Sequence, residues 1–380
     1  MPRSRQSTDS EAPKQRSERD LEALRTAIDA VDQDLLEALN RRARLVQEVG
    51  AWKTQGDAPV YVAGRERDLV ANLIEANSGP FPNAGIPHVF REVISATRSL
   101  EQVVRVAFLG PLGTFSHEAA LRQFGGLVEL VPVHTISEVF EATERGRADF
   151  GIVPIENAAE GAVAASLDAL VESDLPICAE VVLEIRQNLM SRAKNRNDIT
   201  SVVSHPQPLG QCASWLTRNL PGIPQVESAS TAAAAVKASE DASVAAIGSE
   251  VAAEVYGLRI LEAGIEDARR NRTRFVVIGR EAPTASGDDR TAAVFTIHRD
   301  QAGALHQLLE PFSRHGVNLS SIQSRPIKGK AWEYLFFVDV EGHVDQAEVA
   351  AALADAGKIA HSGKVLGSFP RARIEEGGVS

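Results

Sequence analysis

Residues 17–53 read SERDLEALRTAIDAVDQDLLEALNRRARLVQEVGAWK. Leu21, Leu24, Ile28, Val31, Leu35 and Leu39 recur at spacings of three and four, the period of one helix face. The stretch predicts a single helix of roughly 35 residues, about 50 Å long at the α-helical rise. Ser17 or Asp20 is placed to cap it, and the segment from Gly56 to Pro59 ends it. Two further helices follow, over GRERDLVANLIEA (64–76) and PHVFREVISATRSLEQ (87–102), separated by the breaker-rich NSGPFPNAGIP. Residues 19–102 are therefore expected to form an all-helical domain. A helix this long cannot bury its stripe inside an 84-residue monomer, so pairing with a second copy is the expected remedy.

The pattern changes at residue 103. VVRVAFLG (103–110), ADFGIVPIEN (148–157), ITSVVSH (199–205), SVAAIGS (243–249) and RFVVIG (274–279) are short apolar runs with helical patterns between them. They predict an α/β domain over 104–281. Residues 282–290, within EAPTASGDDR, read as a linker. The last segment, 291–371, alternates TAAVFTIH, a helix from Gly303 to His315, VNLSSIQSRPI, WEYLFFVDVE, a helix from Asp345 to Ala356, and KVLGSFP. That βαββαβ order is the ferredoxin-like α+β arrangement.

At 380 residues the chain is long enough for two or three domains. With 40 Lys and Arg against 51 Asp and Glu, its formal charge is −11, which argues against nucleic acid as a partner. No apolar run reaches the roughly 18 residues of a spanning helix, so no membrane role is expected. The polar N-terminus has no signal-peptide core, and residues 1–18 read as a disordered leader. Cys178 and Cys212 form neither a disulfide framework nor a metal spacing, and the expected setting is cytoplasmic. Neither a metal nor an organic cofactor is expected. Arginine clusters in such an acidic chain point to small anionic ligands.

One set of cations lies on the helices. Arg42 and Lys53 are 11 residues apart and fall within about 20° of each other on a helix. Arg25 lies about 100° away and roughly 26 Å along the axis, so one straight helix cannot aim all three at one small molecule. A dimer can, if Arg25 comes from the other copy. LRTAID, NRRARLVQEVGAWK, GRERDLV and ISATRSLEQ, in this order, resemble the all-helical chorismate mutase family. The resemblance implies that chorismate is held by Arg25 of the partner, Arg42 and Lys53, with Arg65, Glu66 and Glu101 following. The reaction is a pericyclic rearrangement, so the site has only to fold the substrate and stabilise charge growing on its ether oxygen. Lys53 is the expected donor to that oxygen. The family carries a glutamine at the position of Glu101. A carboxylate cannot donate a hydrogen bond, so Glu101 is expected to work as the protonated acid. Val62 departs from a position where the family carries a polar contact.

A second constellation lies in the α/β segment. FLGPLGTFSHEAA (108–120) is a strand, a glycine-rich turn and a helix start. It lacks the P-loop lysine and the dinucleotide GxGxxG. With GIVPIENAAEG (151–161), SHPQPLGQC (204–212), STAAAA (230–235) followed by AAIGSEVAAEVYGL (245–258), and NRTRF (271–275), it resembles prephenate dehydratase across nearly all of 104–281. That family has two α/β lobes like a periplasmic binding protein, with the active site in the cleft. The resemblance puts Thr273 at the catalytic threonine. It places Glu156, Asn157, Ser204 and Gln211 in the cleft, with Thr114, Ser116, Arg272 and Arg274 as further prephenate contacts. Prephenate loses carbon dioxide and a ring hydroxyl, and the leaving oxygen needs a proton or a strong donor. Arginines grip carboxylates bidentately; Arg269, Arg270 and Arg272 each read equally well as part of an exposed loop. His117, His134 and His205 show no metal spacing and read as structural or peripheral.

QAGALHQLLEPFSRHGVNLSSIQSRPI (301–327) resembles the ACT regulatory domain fused to prephenate dehydratases. The resemblance implies L-phenylalanine bound between paired domains by Gly303, Ala304, Leu305, Asn318, Ser324, Arg325 and Pro326. His306 and Gln323 depart from the two motifs. The whole chain then reads as a bifunctional enzyme converting chorismate to prephenate and prephenate to phenylpyruvate, inhibited by its end product. It is expected to be a homodimer or larger homo-oligomer. Retention of only one activity, arogenate as the dehydratase substrate, and a non-catalytic small-molecule sensor are the alternatives.

Overall fold

The computed structural model describes residues 18–53, 61, 63–268, 271–297, 302–327 and 333–372. Residues 1–17, Val62, Arg269 and Arg270 lie outside the described residues, as does the side chain of Lys53. The chain forms two units, residues 1–58 and 59–380.

Among the described residues the first unit holds one helix, α1, Glu18–Lys53, which takes in the last residue expected of the leader. Leu21, Leu24, Ile28, Val31, Leu35 and Leu39 are all exposed. The stripe that defines the helix thus has no core of its own to enter.

The second unit opens with α2, Ala63–Ala76, and α3, Ile86–Arg98. Helix α3 stops four residues short of the expected Gln102; Ser99 is its C-cap. The first α/β lobe holds β1 (Arg105–Leu109), α4 (Phe115–Phe124), β2 (Glu129–Val133), α5 (Ile136–Glu144), β3 (Phe150–Asn157), β4 (Gly161–Ala162), α6 (Ala164–Glu172) and β5 (Ile177–Glu184). The second lobe holds β6 (Asn188–Ser191), β7 (Ser201–Ser204), α7 (Pro206–Gln211), α8 (Ala213–Asn219), β8 (Gln225–Glu227), α9 (Thr231–Glu240), β9 (Val244–Gly248), α10 (Glu250–Tyr256) and β10 (Arg259–Glu262). The chain then returns to the first lobe as β11, Arg272–Gly279. The two sheets run β2-β1-β3-β11-β5 and β10-β6-β9-β7-β8. Where the chain crosses between lobes, Ile185 N donates to Asn271 O at 2.8 Å, tying the outgoing and returning segments together.

The C-terminal segment has β12 (Asp289–Ile297), α11 (Ala304–Arg314), β13 (Leu319–Pro326), β14 (Tyr334–Glu341), α12 (Ala347–Ile359) and β15 (Ser362–Pro370). Its antiparallel sheet runs β13-β14-β12-β15, the ferredoxin-like order. Strand β12 begins at Asp289, so it absorbs the end of the expected linker.

Strand β11 is the hinge of the packing, because it is apolar on both faces. Phe275 and Val277 join Val106, Phe108, Ile152 and Val181 in one core. Val276 and Ile278 point the other way, into a core shared with Val294, Phe337, Leu366 and Phe369 of the C-terminal sheet. At Gly367 (φ +154°) a Cβ would lie 2.5 Å from Ile177 O, so only glycine allows β15 this close to β5.

Candidate active sites

The antiparallel register of β3 and β11 sets Thr273 opposite Asn157. Asn157 Nδ2 donates to Thr273 Oγ1 at 2.8 Å. The amide cannot be turned over without loss, because its Oδ1 accepts from the backbone N–H groups of Ala159 (2.9 Å) and Glu160 (3.2 Å). Thr273 is only 7% exposed. Its oxygen already accepts, which leaves its own hydrogen to donate to a ligand.

Alternation along β11 turns Arg272 and Arg274 to the face opposite Thr273. Arg274 Nε donates to Glu180 Oε2 at 2.8 Å and Nη1 to Asp339 Oδ2 at 2.5 Å. Glu180 also accepts from Arg290 Nη1 at 2.7 Å. The expectation that Arg274 grips prephenate is therefore corrected: its guanidinium is taken up by two carboxylates at the C-terminal sheet. Glu156, the cross-strand partner of Arg274, is corrected likewise. It lines, with Arg274, Gln323 and Asp339, a cavity between the first lobe and that sheet.

The glycine-rich turn ends at the N-terminus of α4. Thr114 caps this helix, accepting from His117 N (3.3 Å) and donating to Leu109 O (3.1 Å), so its hydroxyl is spent on the turn. His117 is buried and accepts at Nδ1 from Gly113 N (3.0 Å); burial pushes its pKa down, and its ring stacks on Phe108. Its ring thus serves the turn at Gly113 and the packing on Phe108. Ser116 is buried in the first turn of α4. The same turn docks on the second lobe: Ser249 Oγ donates to Gly113 O and Tyr256 Oη to Leu112 O, both at 3.0 Å. Glu118, one turn on, has its pKa pushed up to about 7 by burial, with the carboxylates of Glu250 and Glu254 adding to the effect.

In the second lobe Ser204 is fully buried and donates to Ile247 O at 2.8 Å, pinning β7 to β9. That use of the hydroxyl corrects its expected role as a prephenate contact. His205 caps α7, and His134 is exposed. Gln211 stands at the crossover. Its Oε1 accepts from Gln187 Nε2 at 3.0 Å, and Gln187 N donates to Glu266 Oε2 at 2.8 Å. Gln187 and Asn271 are both buried at the crossover, and neither was singled out from the sequence. Nothing but a polar residue beside apolar runs marks them there.

On α1, Arg25 is exposed and Arg42 half-buried. In the second unit Arg65 is exposed, and Glu66 accepts from Arg98 Nη1 at 2.6 Å. Glu101 follows α3, its N–H on Arg98 O at 2.9 Å. The seat of α3 is the turn after α4. Ser95 Oγ accepts from Leu127 N (3.1 Å) and Glu92 Oε2 from Gly126 N (3.0 Å).

In the C-terminal sheet, Gly303 (φ +83°) starts α11, with Ala304 and Leu305 in its first turn. Asn318 precedes β13, and Ser324 and Pro326 are exposed on that edge strand. Arg325 points the other way, donating from Nη1 to Asp168 Oδ1 (2.8 Å) and Ala164 O (2.6 Å) of α6. The expectation that Arg325 holds the effector is corrected accordingly. Among the described residues no cluster of His, Cys, Asp and Glu fits a metal ion, and no helix is long and apolar enough to cross a membrane.

Fold and site define a multidomain enzyme: a helical segment, a two-lobed α/β domain with a buried threonine on its return strand, and a ferredoxin-like sheet. Family models match in the same order: chorismate mutase type II over residues 24–102, prephenate dehydratase over 106–283 and the ACT domain over 292–358. The bifunctional chorismate mutase/prephenate dehydratase of Aquifex aeolicus is 42% identical over 94% of this chain and 99% of its own length. That of Pseudomonas aeruginosa is 41% identical over 93% and 98%. A prephenate dehydratase structure from Arthrobacter aurescens, in complex with L-Phe, is 36% identical with a TM-score of 0.65, covering 71% of this chain and 90% of that one. This chain belongs to the bifunctional chorismate mutase/prephenate dehydratase family. It carries both activities of phenylalanine biosynthesis, an isomerase and a carbon–oxygen lyase.

Proposed function

We propose that Thr273 is the hydroxyl donor of the dehydratase step, with Asn157 fixing its orientation. As the bond to the carboxylate breaks, its electrons enter the ring, the C–O bond breaks and carbon dioxide leaves. Negative charge grows on the departing oxygen, which Thr273 meets with a hydrogen bond. The observation that carries this reading is the Asn157–Thr273 hydrogen bond, whose direction is set by the two backbone donors on Asn157 Oδ1. Ser116 and Gln211 remain proposed contacts of prephenate, while Arg272 lies on the face of β11 turned away from Thr273. Thr114, Ser204, Glu156 and Arg274 serve the frame around them.

For the mutase step, Arg25 of a second copy, Arg42, Lys53, Arg65, Glu66 and Glu101 bind chorismate. The exposed stripe of α1 supports a homodimer or larger assembly. Glu101→Gln supplies an amide donor in place of the carboxyl group and is expected to retain mutase activity. Gly303, Ala304, Leu305, Asn318, Ser324 and Pro326 bind L-phenylalanine. The L-Phe complex of the Arthrobacter aurescens relative supports that reading, and the expected setting is cytoplasmic.

Thr273→Ala in the full chain is the test. Loss of phenylpyruvate formation from prephenate, with chorismate consumption intact, is the expected result. Retained turnover removes Thr273 from the step. Supplying arogenate beside prephenate separates the two substrates, and adding L-phenylalanine at millimolar concentration is expected to inhibit.

A further inference from the structure

Arg98 is an arginine where the chain has every reason to avoid one. It ends α3 and is only 5% exposed. A buried guanidinium is costly unless all its edges are used. Here they are used in two directions. Nη1 donates to Glu66 Oε1 at 2.6 Å, and Nη2 donates to Phe124 O at 2.6 Å. Glu66 belongs to the mutase segment. Phe124 is the last residue of α4 in the dehydratase lobe, where helix carbonyls lack intrahelical partners and a cation is favoured. The rings of Tyr61 and Phe124 enclose the guanidinium, with centroids 5.2 Å and 5.9 Å from its carbon. Ser95 of the same helix sits on Gly125, so the arginine is clamped at a fixed depth.

We propose that Arg98 is a positioning residue for the mutase reaction, anchoring Glu66 to the dehydratase lobe. The proposal rests on the reading that Glu66 binds chorismate. Chorismate carries two carboxylates, an ether and one hydroxyl. A carboxylate side chain only accepts, so Glu66 receives the ring hydroxyl. Arg98 Nη1 holds Oε1, so the carboxylate that meets that hydroxyl is fixed in place by a charge-assisted hydrogen bond. The dehydratase lobe is then a wall of the mutase site's support and not a separate passenger. Only an arginine spans both groups: a lysine is a point charge without the second edge.

The test uses the full chain and measures chorismate consumption and, separately, phenylpyruvate formation from supplied prephenate. Arg98→Met is expected to lower mutase kcat/KM roughly ten- to hundredfold, the size of a lost charged hydrogen bond. Dehydratase kcat/KM is expected to stay within about twofold, which also reports that the chain is folded. Arg98→Lys is expected to recover part of the loss and serves if the methionine variant does not fold. Glu66→Gln is expected to lower mutase kcat/KM too, and Arg98→Met added to it to cost little more. That non-additivity distinguishes positioning from mere support of the fold. Losses that multiply, or Arg98 variants with native mutase kinetics while Glu66→Gln is impaired, overturn the role of Arg98 alone. Native mutase kinetics in Glu66→Gln and Glu66→Ala overturn the binding reading beneath it.

Discussion

Arg274 reaches from the strand of Thr273 to Asp339 of the C-terminal sheet at 2.5 Å, while its Nε holds Glu180. One residue of β11 faces the proposed chemistry and the next is welded to the ACT domain. Glu180 is buried at the centre of the cluster, 2% exposed at its side chain, and Arg274, Arg290 and Asp339 around it are partly buried. Such pairs add little over apolar packing, yet breaking one by removing a single partner is severe.

Arg274→Met is therefore expected to lower stability by about 3–5 kcal/mol, because it strands a carboxylate in a buried site. A urea midpoint measures this. Arg274→Met combined with Asp339→Asn is expected to cost less than the two changes summed, since no unpaired charge is left at that edge. An unchanged midpoint for Arg274→Met denies the cluster any structural weight.

How much of this was legible in the sequence depends on period. The helices of 19–102 announce themselves through spacing, and the ends moved by only a few residues. The motif around Thr273 was visible only by resemblance, yet its alternation already held the answer for the arginines. A strand repeats every two residues, so 272 and 274 cannot share the face of 273. Strand β5, ICAEVVLE, is buried on both faces and shows no clean alternation, while β8 has three residues and β2 contains a proline. Arg325 and Asp168 are joined across 157 positions, as Arg98 and Phe124 are across 26. No local pattern encodes such pairs.

The orientation of Asn157 makes a sharp prediction. Asn157→Asp replaces the donating amide with a group that only accepts, so the Thr273 hydrogen turns toward the carboxylate and away from the substrate. Dehydratase kcat is expected to fall about 10²–10³-fold, the scale for a lost oxyanion donor. Thr273→Ser keeps the hydroxyl and is expected to retain a measurable part of the rate. Mutase activity should be native in both. If Asn157→Asp turns over prephenate at the native rate, the amide does not direct the hydroxyl.

Glu118 makes the fold sensitive to pH. Its pKa, ordinarily 4.5, is raised to about 7 by burial and then by Glu250 and Glu254, with Arg122 opposing. In that window the folded chain holds a proton that the unfolded chain has released. Stability from this group is therefore greatest below about pH 4.5 and declines as pH rises to about 7. Glu118→Gln is expected to remove that decline and to melt higher than the native chain above pH 7. Denaturant midpoints across pH 5–8 for both chains check it, and parallel curves would falsify the assignment.

Gly125 tests whether α3 truly depends on the dehydratase lobe. It has φ +77°, where only glycine is unstrained, and a Cβ there would come within 2.5 Å of Ser95 Cβ. Gly125→Ala therefore carries two costs, backbone strain of about 1–3 kcal/mol and a clash that must push α3 outward. Moving α3 carries Arg98 with it, so mutase kcat/KM is expected to fall along with the melting temperature. Ser95→Gly in the same chain removes the clash, together with the Ser95 Oγ acceptor of Leu127 N, and leaves the strain. The double variant is expected to recover mutase activity more fully than it recovers stability. If both properties recover in the same proportion, strain and displacement are not separable here, and the loss of mutase activity is a simple consequence of unfolding.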